Sequence, residues 1–404
     1  MNKHKALVIT LLISILGCEQ PNTGARGIPH RGEEDTLSVD DEGLSSLPFL
    51  RRDGRLAGLP AMAEAYQQTP LDTFDLPVID GKMVEALYYN LELLQLQQRK
   101  KNQQVGSLRI THEELEEAIQ ALIAWQHTKP FGLHSHLEAH QIWGADQKGN
   151  VRFTGYFTPV VKVSKDPQGA YQHPLYDRPL EWDGELPSRK EIEGKGALRG
   201  LGLELAYAVD KVDVYYMQVQ GSGFVEYPNG KLDLFAYNGT NKHPYQSIEK
   251  YIISREDIPL QNLSIGGIRR YLKQNPALRD TVLFHNPSYT FFTRKRSPLP
   301  KGAGGVPLMA GYSIAVDRRY IPLGSCLLAA FPVYDRNQHR VVRHEYRFLV
   351  AQDVGGAIKG PGHVDFYTGV GTEAARAAGR INYYGRLWIL LPKPPKAHFI
   401  SIEK

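Results

Sequence analysis

From residue 291 onward the chain breaks into short apolar stretches, and no other feature restricts the fold as much. They lie at 306–316, 326–333, 341–351, 363–367 and 387–391, split by glycine and proline. Apolar runs this short, bounded by turn residues, read as strands, whereas helices show a longer 3.6-residue periodicity. Several such strands in succession predict a small β-barrel.

The first third reads differently. Met83 to Gln98 is rich in Leu, Glu, Gln and Ala, with apolar residues at helical spacing. Thr111 and Glu114 form a capping box ahead of Leu115, Ile119, Leu122 and Ile123, which predicts a helix over 112–127. The texture changes at Val151. Val151 to Val163 is β-branched and aromatic, interrupted by Gly155 and Pro159, and reads as strand and turn. Ser188 and Glu191 repeat the capping-box spacing. Leu201 to Val209 predicts a helix, and Val212 to Val219 alternates as a strand does. Pro228-Asn229-Gly230 turns the chain into a further strand, Leu232 to Tyr237. Helices are expected over 244–254 and 264–274. The expected class is α+β, mainly β.

The amino terminus addresses the compartment. Lys3, His4 and Lys5 precede an apolar run from Ala6 to Leu16, which is the layout of a secretory signal. The run is shorter than the roughly 20 residues a spanning helix needs. Leu16-Gly17-Cys18 resembles a lipobox, so Cys18 is expected to carry lipid. Glu19 follows it, where lipoproteins of the inner membrane commonly carry Asp, so the outer membrane is the expected destination. The only other cysteine, Cys326, sits in an apolar stretch and reads as a buried, inert thiol. Residues 19–47 are rich in Gly, Pro, Glu, Asp and Ser and read as a tether. The roughly 350 residues that remain suggest two domains. A net charge of +5 is too mild and too dispersed to argue for nucleic acid.

The chain has no HExxH, paired CxxC or GxSxG pattern. His134, His136 and His140 are close in sequence, but lack a ligand partner at metal-site spacing, and read as ordinary histidines. Carboxylates are more informative. Asp317, Asp353 and Asp365 each lie near glycine in the barrel-like segment. Val364 and Phe366 flank Asp365, and apolar surroundings raise a carboxyl pKa towards the range a general acid needs. Spacing alone also allows all three to bond their local backbone in turns.

Ordered motifs go further. The segment from Val306 to Leu391 carries AVDRRYIPLG, AQDVGGAIKG, HVDFYTGVG and Tyr383-Tyr384-Gly385-Arg386, and resembles the three-aspartate domain, a double-psi β-barrel. Upstream stand Thr154-Gly155-Tyr156-Phe157-Thr158-Pro159, Val219-Gln220-Gly221-Ser222-Gly223, Tyr237-Asn238-Gly239-Thr240-Asn241 and Asn286-Pro287-Ser288-Tyr289. In that order they are similar to the lytic murein transglycosylase A family, over roughly 80–400.

The amino terminus reads as a signal peptide over 1–17 and a tether over 18–47, and the resemblance implies a domain built from 48–153 and the barrel at 296–395. A second, mostly-β domain over 154–295 is inserted between them, with glycan in the groove. It implies a peptidoglycan lytic exotransglycosylase, although the sequence by itself does not separate cleavage at chain ends from cleavage within. Asp365 matches the catalytic aspartate and Asp353 a second aspartate beside it; Asp317 is expected to be structural, paired with Arg318 or Arg319. Thr154, Tyr156, Gln220, Ser222, Gly223 and Asn238 are expected to bind glycan, and Lys359 to stabilise an ionised Asp353 or Asp365. No cofactor is implied. Expected partners are peptidoglycan strands, a lipid anchor and other cell-wall proteins, with no nucleic acid. Two alternatives stand beside this reading: a non-catalytic peptidoglycan-binding lipoprotein, and a hydrolytic glycosidase on the same barrel.

Overall fold

A computed structural model describes residues 66–394, apart from 70, 98–102, 106–107, 129–131, 143, 145–148, 256–257, 259–264, 296–298 and 336–339. The signal segment, the tether and Cys18 lie outside the described residues. Among the described residues no helix is long and apolar enough to cross a membrane.

The chain begins with β1 (Tyr66–Thr69) and α1 (Gly81–Leu96). The Asp80 side chain caps α1 by accepting from the Met83 N–H at 2.8 Å. Met83, Ala86, Leu87, Asn90, Leu93 and Leu94 form its buried stripe, spaced three and four residues apart. A small hairpin, β2 (Gln103–Val105) and β3 (Leu108–Ile110), leads into α2 (His112–Thr128). Its capping box is reciprocal: the Thr111 N–H donates to Glu114 Oε2 at 2.7 Å, and the Glu114 N–H donates to Thr111 Oγ1 at 3.0 Å. One turn, α3 (Leu133–His136), then precedes β4 (Leu137–Ile142) and β5 (Val151–Thr158).

A second run of elements follows: β6 (Val160–Ser164), β7 (His173–Tyr176), β8 (Glu204–Ala208), α4 (Lys211–Gln220), β9 (Gly223–Glu226) and β10 (Leu232–Thr240), then α5 (Ile248–Ser254), α6 (Ile265–Gln274), α7 (Pro276–Phe284) and β11 (Thr290–Lys295). The six strands form one sheet in the order β11-β10-β9-β6-β8-β7. The chain then supplies β12 (Ser313–Ala315), β13 (Cys326–Asp335), β14 (Arg340–Asp353), β15 (His363–Val370), α8 (Gly371–Ala378) and β16 (Asn382–Pro392).

These last strands close a barrel. The larger sheet runs β1-β4-β16-β13-β14-β12-β15-β5, and β16 also pairs with β5. The pairing makes a ring of six strands, β16-β13-β14-β12-β15-β5, with β4 and β1 appended outside it. Two pairs in the ring, β12 with β14 and β15 with β5, are parallel. Closure satisfies the backbone of every ring strand and leaves no free edge within it. Leu327, Leu328, Leu349, Val350, Val364, Leu387 and Ile389 are fully buried in its core, which continues under α1 and α2. The fold is therefore mainly β, with helices packed on a closed barrel and on a second sheet.

One ring strand comes from the first half of the chain. β5 pairs with β15 and β16, so Thr154 to Thr158 belong to the barrel sheet and the crossing to the second sheet falls at Pro159. The expected boundary between 153 and 154 therefore falls inside β5, because pairing with β15 and β16 keeps the whole strand in the barrel.

The two elements at 201–219 are the reverse of the sequence reading. Residues 204–208 are the strand β8, which pairs with β6 and β7. Leu, Glu and Ala favour helix in isolation, but strand pairing on both sides overrides that preference. Residues 211–220 are helix α4. Asp210 caps it by accepting from the Val212 N–H at 2.9 Å, and Gly221 ends it at φ 81. Val212, Val214, Tyr215, Tyr216, Met217 and Gln218 are all buried, so no single apolar stripe marks the helix. Helices α7 and α8 were not expected from the sequence.

Arg189 holds the second unit together. It is 1% exposed and donates to Glu193 Oε1 at 2.7 Å, to Asn286 O at 3.1 Å and to Ser288 O at 2.7 Å. Its guanidinium also lies over the Tyr215 and Tyr289 rings. Arg189→Met is expected to cost about 3–5 kcal/mol, because it removes three buried hydrogen bonds and leaves Glu193 only the more distant Lys211 as a cation, at 4.0 Å. Thermal and chemical denaturation measure this; a loss under about 1 kcal/mol would refute the role.

Candidate active site

Two neighbouring strands build the site. β15 and β5 run parallel in the register His363↔Arg152, Asp365↔Thr154 and Tyr367↔Tyr156. Alternate residues of a strand share a face. His363, Asp365 and Tyr367 therefore stand beside Arg152, Thr154 and Tyr156 on one side of the barrel wall. The Thr154 hydroxyl donates to Asp365 Oδ1 at 2.9 Å, and lies 2.9 Å from His363 Nε2. The Tyr156 ring packs on Tyr367 with centroids 5.1 Å apart.

The neighbouring strand brings in the second aspartate. Ala315 of β12 is opposite Asp365 on one side and Asp353 on the other. At the usual strand spacing the two aspartate backbones are about 10 Å apart. Asp353 Oδ1 accepts from the N–H groups of Ala303 (2.8 Å) and Val354 (2.9 Å). Its Oδ2 accepts from the Tyr156 hydroxyl at 3.0 Å. Tyr156 thus reaches from β5, the strand of Thr154, to Asp353.

The environment sets the charge states. Asp365 is only partly accessible, and burial pushes its carboxyl up to about 7; Asp353 adds to the rise, while Thr154 and Arg152 oppose it. Burial also raises Asp353, against its three hydrogen bonds. Burial and the nearby Arg152 charge take His363 down to about 3, so its ring is neutral near pH 7. A carboxylic acid poised near neutrality and supported by neutral donors can release a proton and take it back.

Asp317 has a different setting. Arg319 grips it with Nε at 2.9 Å and Nη2 at 2.5 Å, and the Gly360 N–H donates to it at 2.8 Å. Burial would raise this carboxyl, but those donors win and hold it below the usual range. Arg319, rather than Arg318, is the partner, and the pair fastens the loop carrying Gly360 that leads into β15.

The residues expected to bind glycan divide. Gln220, Ser222 and Gly223 lie where α4 passes into β9, next to the crossing from β5 to β6. Gln220 Oε1 accepts from the Phe157 N–H at 3.4 Å, which ties this turn to the active strand. Ser222 Oγ accepts from the Tyr237 N–H at 3.1 Å. Asn238 lies on β10 and donates to Asp177 Oδ1 at 2.8 Å. Gly223 is buried, and a Cβ there would meet Met217 Cγ at 2.8 Å, so its absent side chain serves packing rather than access for a ligand. Lys359 is exposed and forms no ion pair with Asp353 or Asp365; the cation that bears on Asp365 is Arg152. His140 pairs with Glu138 at 2.8 Å. Cys326 is buried, and burial pushes its thiol up to about 12.

Arg152, His363 and Tyr367 escaped the sequence reading. The signal was present as two period-2 patterns, Arg-x-Thr-x-Tyr and His-x-Asp-x-Tyr. They are 211 residues apart in sequence, so only the strand pairing joins them.

Comparison with known proteins gives the family. A family model described as the MltA specific insert domain matches residues 152–293, and one described as the 3D domain matches residues 312–391. The membrane-bound lytic murein transglycosylase A of Escherichia coli (strain K12) is 42% identical over 267 residues, covering 66% of this chain and 72% of the relative. The crystal structure of E. coli MltA with bound chitohexaose covers 84% of this chain and 98% of that one, at a TM-score of 0.69 and 32% identity. The crystal structure of a membrane-bound lytic murein transglycosylase from Agrobacterium tumefaciens covers 81% and 98%, at a TM-score of 0.66 and 27% identity.

Proposed function

The chain belongs to the membrane-bound lytic murein transglycosylase A family, and from that premise we propose that Asp365 is the single acid and base with which it cleaves peptidoglycan. The protein is a peptidoglycan lytic transglycosylase, a lyase that breaks glycan strands without water. The observation that carries the assignment of Asp365 is its placement: a partly accessible carboxyl raised to about 7, bonded to Thr154.

Protonated Asp365 gives its proton to the oxygen between N-acetylmuramic acid and N-acetylglucosamine. The C1–O bond breaks, its electron pair stays on the leaving oxygen, and an oxocarbenium-like centre forms at C1. The ionised carboxylate then takes the proton of the muramic C6 hydroxyl, whose oxygen closes on C1. The product end is a 1,6-anhydro sugar, and Asp365 regains its proton. A glycosidase that uses water needs a second carboxylate to activate it. Here the nucleophile is part of the substrate, so its positioning entropy is prepaid and one carboxylate is enough. Asp353 shapes the field around Asp365. Glycan lies across the barrel face at Asp365 and towards Gln220 and Ser222, with Asn238 further along. Lipid on Cys18 holds the enzyme at the outer membrane, and the division into barrel and inserted sheet forms the groove.

The pH profile tests the assignment. The first step needs Asp365 protonated, so kcat/KM falls as pH rises through about 7. Asp353 raises that value by like-charge repulsion. Asp353→Asn is therefore expected to move the alkaline limb to lower pH. A limb that stays in place in Asp353→Asn would remove the coupling between the two carboxyls, and an activity flat from pH 6 to 9 would remove Asp365 from the acid role.

A further inference from the structure

We propose that His363 is a positioning residue for this reaction: its Nε2–H fixes the Thr154 hydroxyl so that it donates to Asp365 Oδ1, leaving Oδ2 as the oxygen that carries the working proton. The inference rests on Asp365 as acid and base, and adds which of its oxygens works and what selects it.

The Thr154 hydroxyl has one proton and accepts through its lone pairs. Around Oγ1 stand His363 Nε2 at 2.9 Å, Asp365 Oδ1 at 2.9 Å and the Val364 carbonyl at 3.4 Å. A carbonyl and an ionised carboxylate only accept. A bare Nε2 would accept as well: beside an ionised Asp365 three acceptors would then share one hydrogen, and a protonated Asp365 could close the chain only by turning its acid hydrogen on Oδ1 towards Thr154 and away from the glycan. With a hydrogen on Nε2 the chain closes: Nε2–H donates to Oγ1, and Oγ1–H donates to Oδ1. The low affinity of His363 for a second proton keeps the ring in this neutral form through the pH range of the enzyme.

The consequence falls on Asp365. Both of its charge states must fit the same neighbours. When ionised, Oδ1 accepts from Thr154. When protonated, Oδ1 still accepts and the acid hydrogen resides on Oδ2. One oxygen then gives the proton to the glycosidic oxygen and receives it from the C6 hydroxyl, and no side-chain rotation is needed between the two steps. Strand pairing makes the relay rigid, because His363 and Asp365 are alternate residues of β15 and Thr154 is paired directly to Asp365.

Two measurements on the full chain test this. The first is nitrogen NMR with isotope-labelled histidine at neutral pH. It should show His363 protonated on Nε2 and bare on Nδ1, with the Nε2–H resonance displaced in Thr154→Val. A bare Nε2 overturns the proposal. This measurement needs no turnover, so it reads the relay even if the chain releases no murein fragments, an outcome that would count against the enzyme reading instead. The second is kinetic. His363→Gln keeps an N–H donor at similar reach, and His363→Leu removes it. His363→Leu should lower kcat about 10-fold or more with KM within about twofold, and His363→Gln should stay within about threefold of the parent. Equal loss in both variants at parental melting temperature, or no loss in His363→Leu, overturns the positioning role.

Discussion

Asp365→Asn is expected to lower kcat for murein cleavage by about 10²–10⁴-fold, the range a positioned general acid and base contributes. Glycan binding should change little, because an amide has nearly the shape of the carboxyl and still accepts from Thr154. Folding stability should move the opposite way. A carboxyl whose folded pKa is raised to about 7 binds its proton more tightly in the folded chain than in the unfolded one. Stability is therefore lost as pH rises from the ordinary carboxylate range, about 4, towards 7. Asn carries no charge to desolvate, so the variant should melt at or above the parental temperature at neutral pH, with the gap closing near pH 4. Melting curves at the two pH values, run beside the activity and binding assays, check this. Retained activity, or binding lost together with activity, would contradict the role.

Gly155→Ala is expected to lower stability and activity together. Gly155 lies between Thr154 and Tyr156 on β5, where helix α8 comes down on the strand. An added Cβ would meet Ala378 Cα at 2.6 Å and Ala378 O at 2.7 Å. Those are backbone atoms, so no side chain can swing away, and α8 must move. Overpacking of this kind typically costs about 1–3 kcal/mol, occasionally more. The shift also reaches the site. Phe157, Ala374 and Ala378 pack together at this contact, and Thr368 Oγ1 lies within hydrogen-bond distance of the Tyr156 and Ala374 carbonyls, with one hydrogen to give to either. Displacing α8 therefore moves Tyr156 relative to Asp353. A fall in melting temperature with a lower kcat is the expected result, measured by calorimetry and fragment release. An unchanged melting temperature would show that the contact is slack.

Much of the fold could be read because local signals agreed with tertiary demand. The Thr111–Glu114 box begins α2 as its spacing requires. Pro228-Asn229-Gly230 turns one strand into the next, with the Tyr227 N–H donating to Lys231 O at 2.9 Å. The barrel strands announced themselves by short apolar runs. The stretch 201–219 failed because burial on nearly all sides erased the helical stripe of α4, while pairing on two sides drew helix-forming residues into β8. At the site, ordered motifs singled out Asp365 and Asp353 through resemblance, where spacing alone left turn roles open. The supporting ladder was hidden, since Arg152 and His363 meet only when strands from distant parts of the chain pair in parallel. Lys359 misled because proximity in sequence to Asp353 and Asp365 does not aim a side chain; Lys359 faces solvent.

If one carboxylate cleaves the strand without water, the chemistry of the product ends records it. Purified murein digested by the full chain and analysed by mass spectrometry should release fragments ending in 1,6-anhydro-muramic acid, each lighter by one water than its reducing counterpart. Fragments bearing only reducing ends would show hydrolysis and contradict the account.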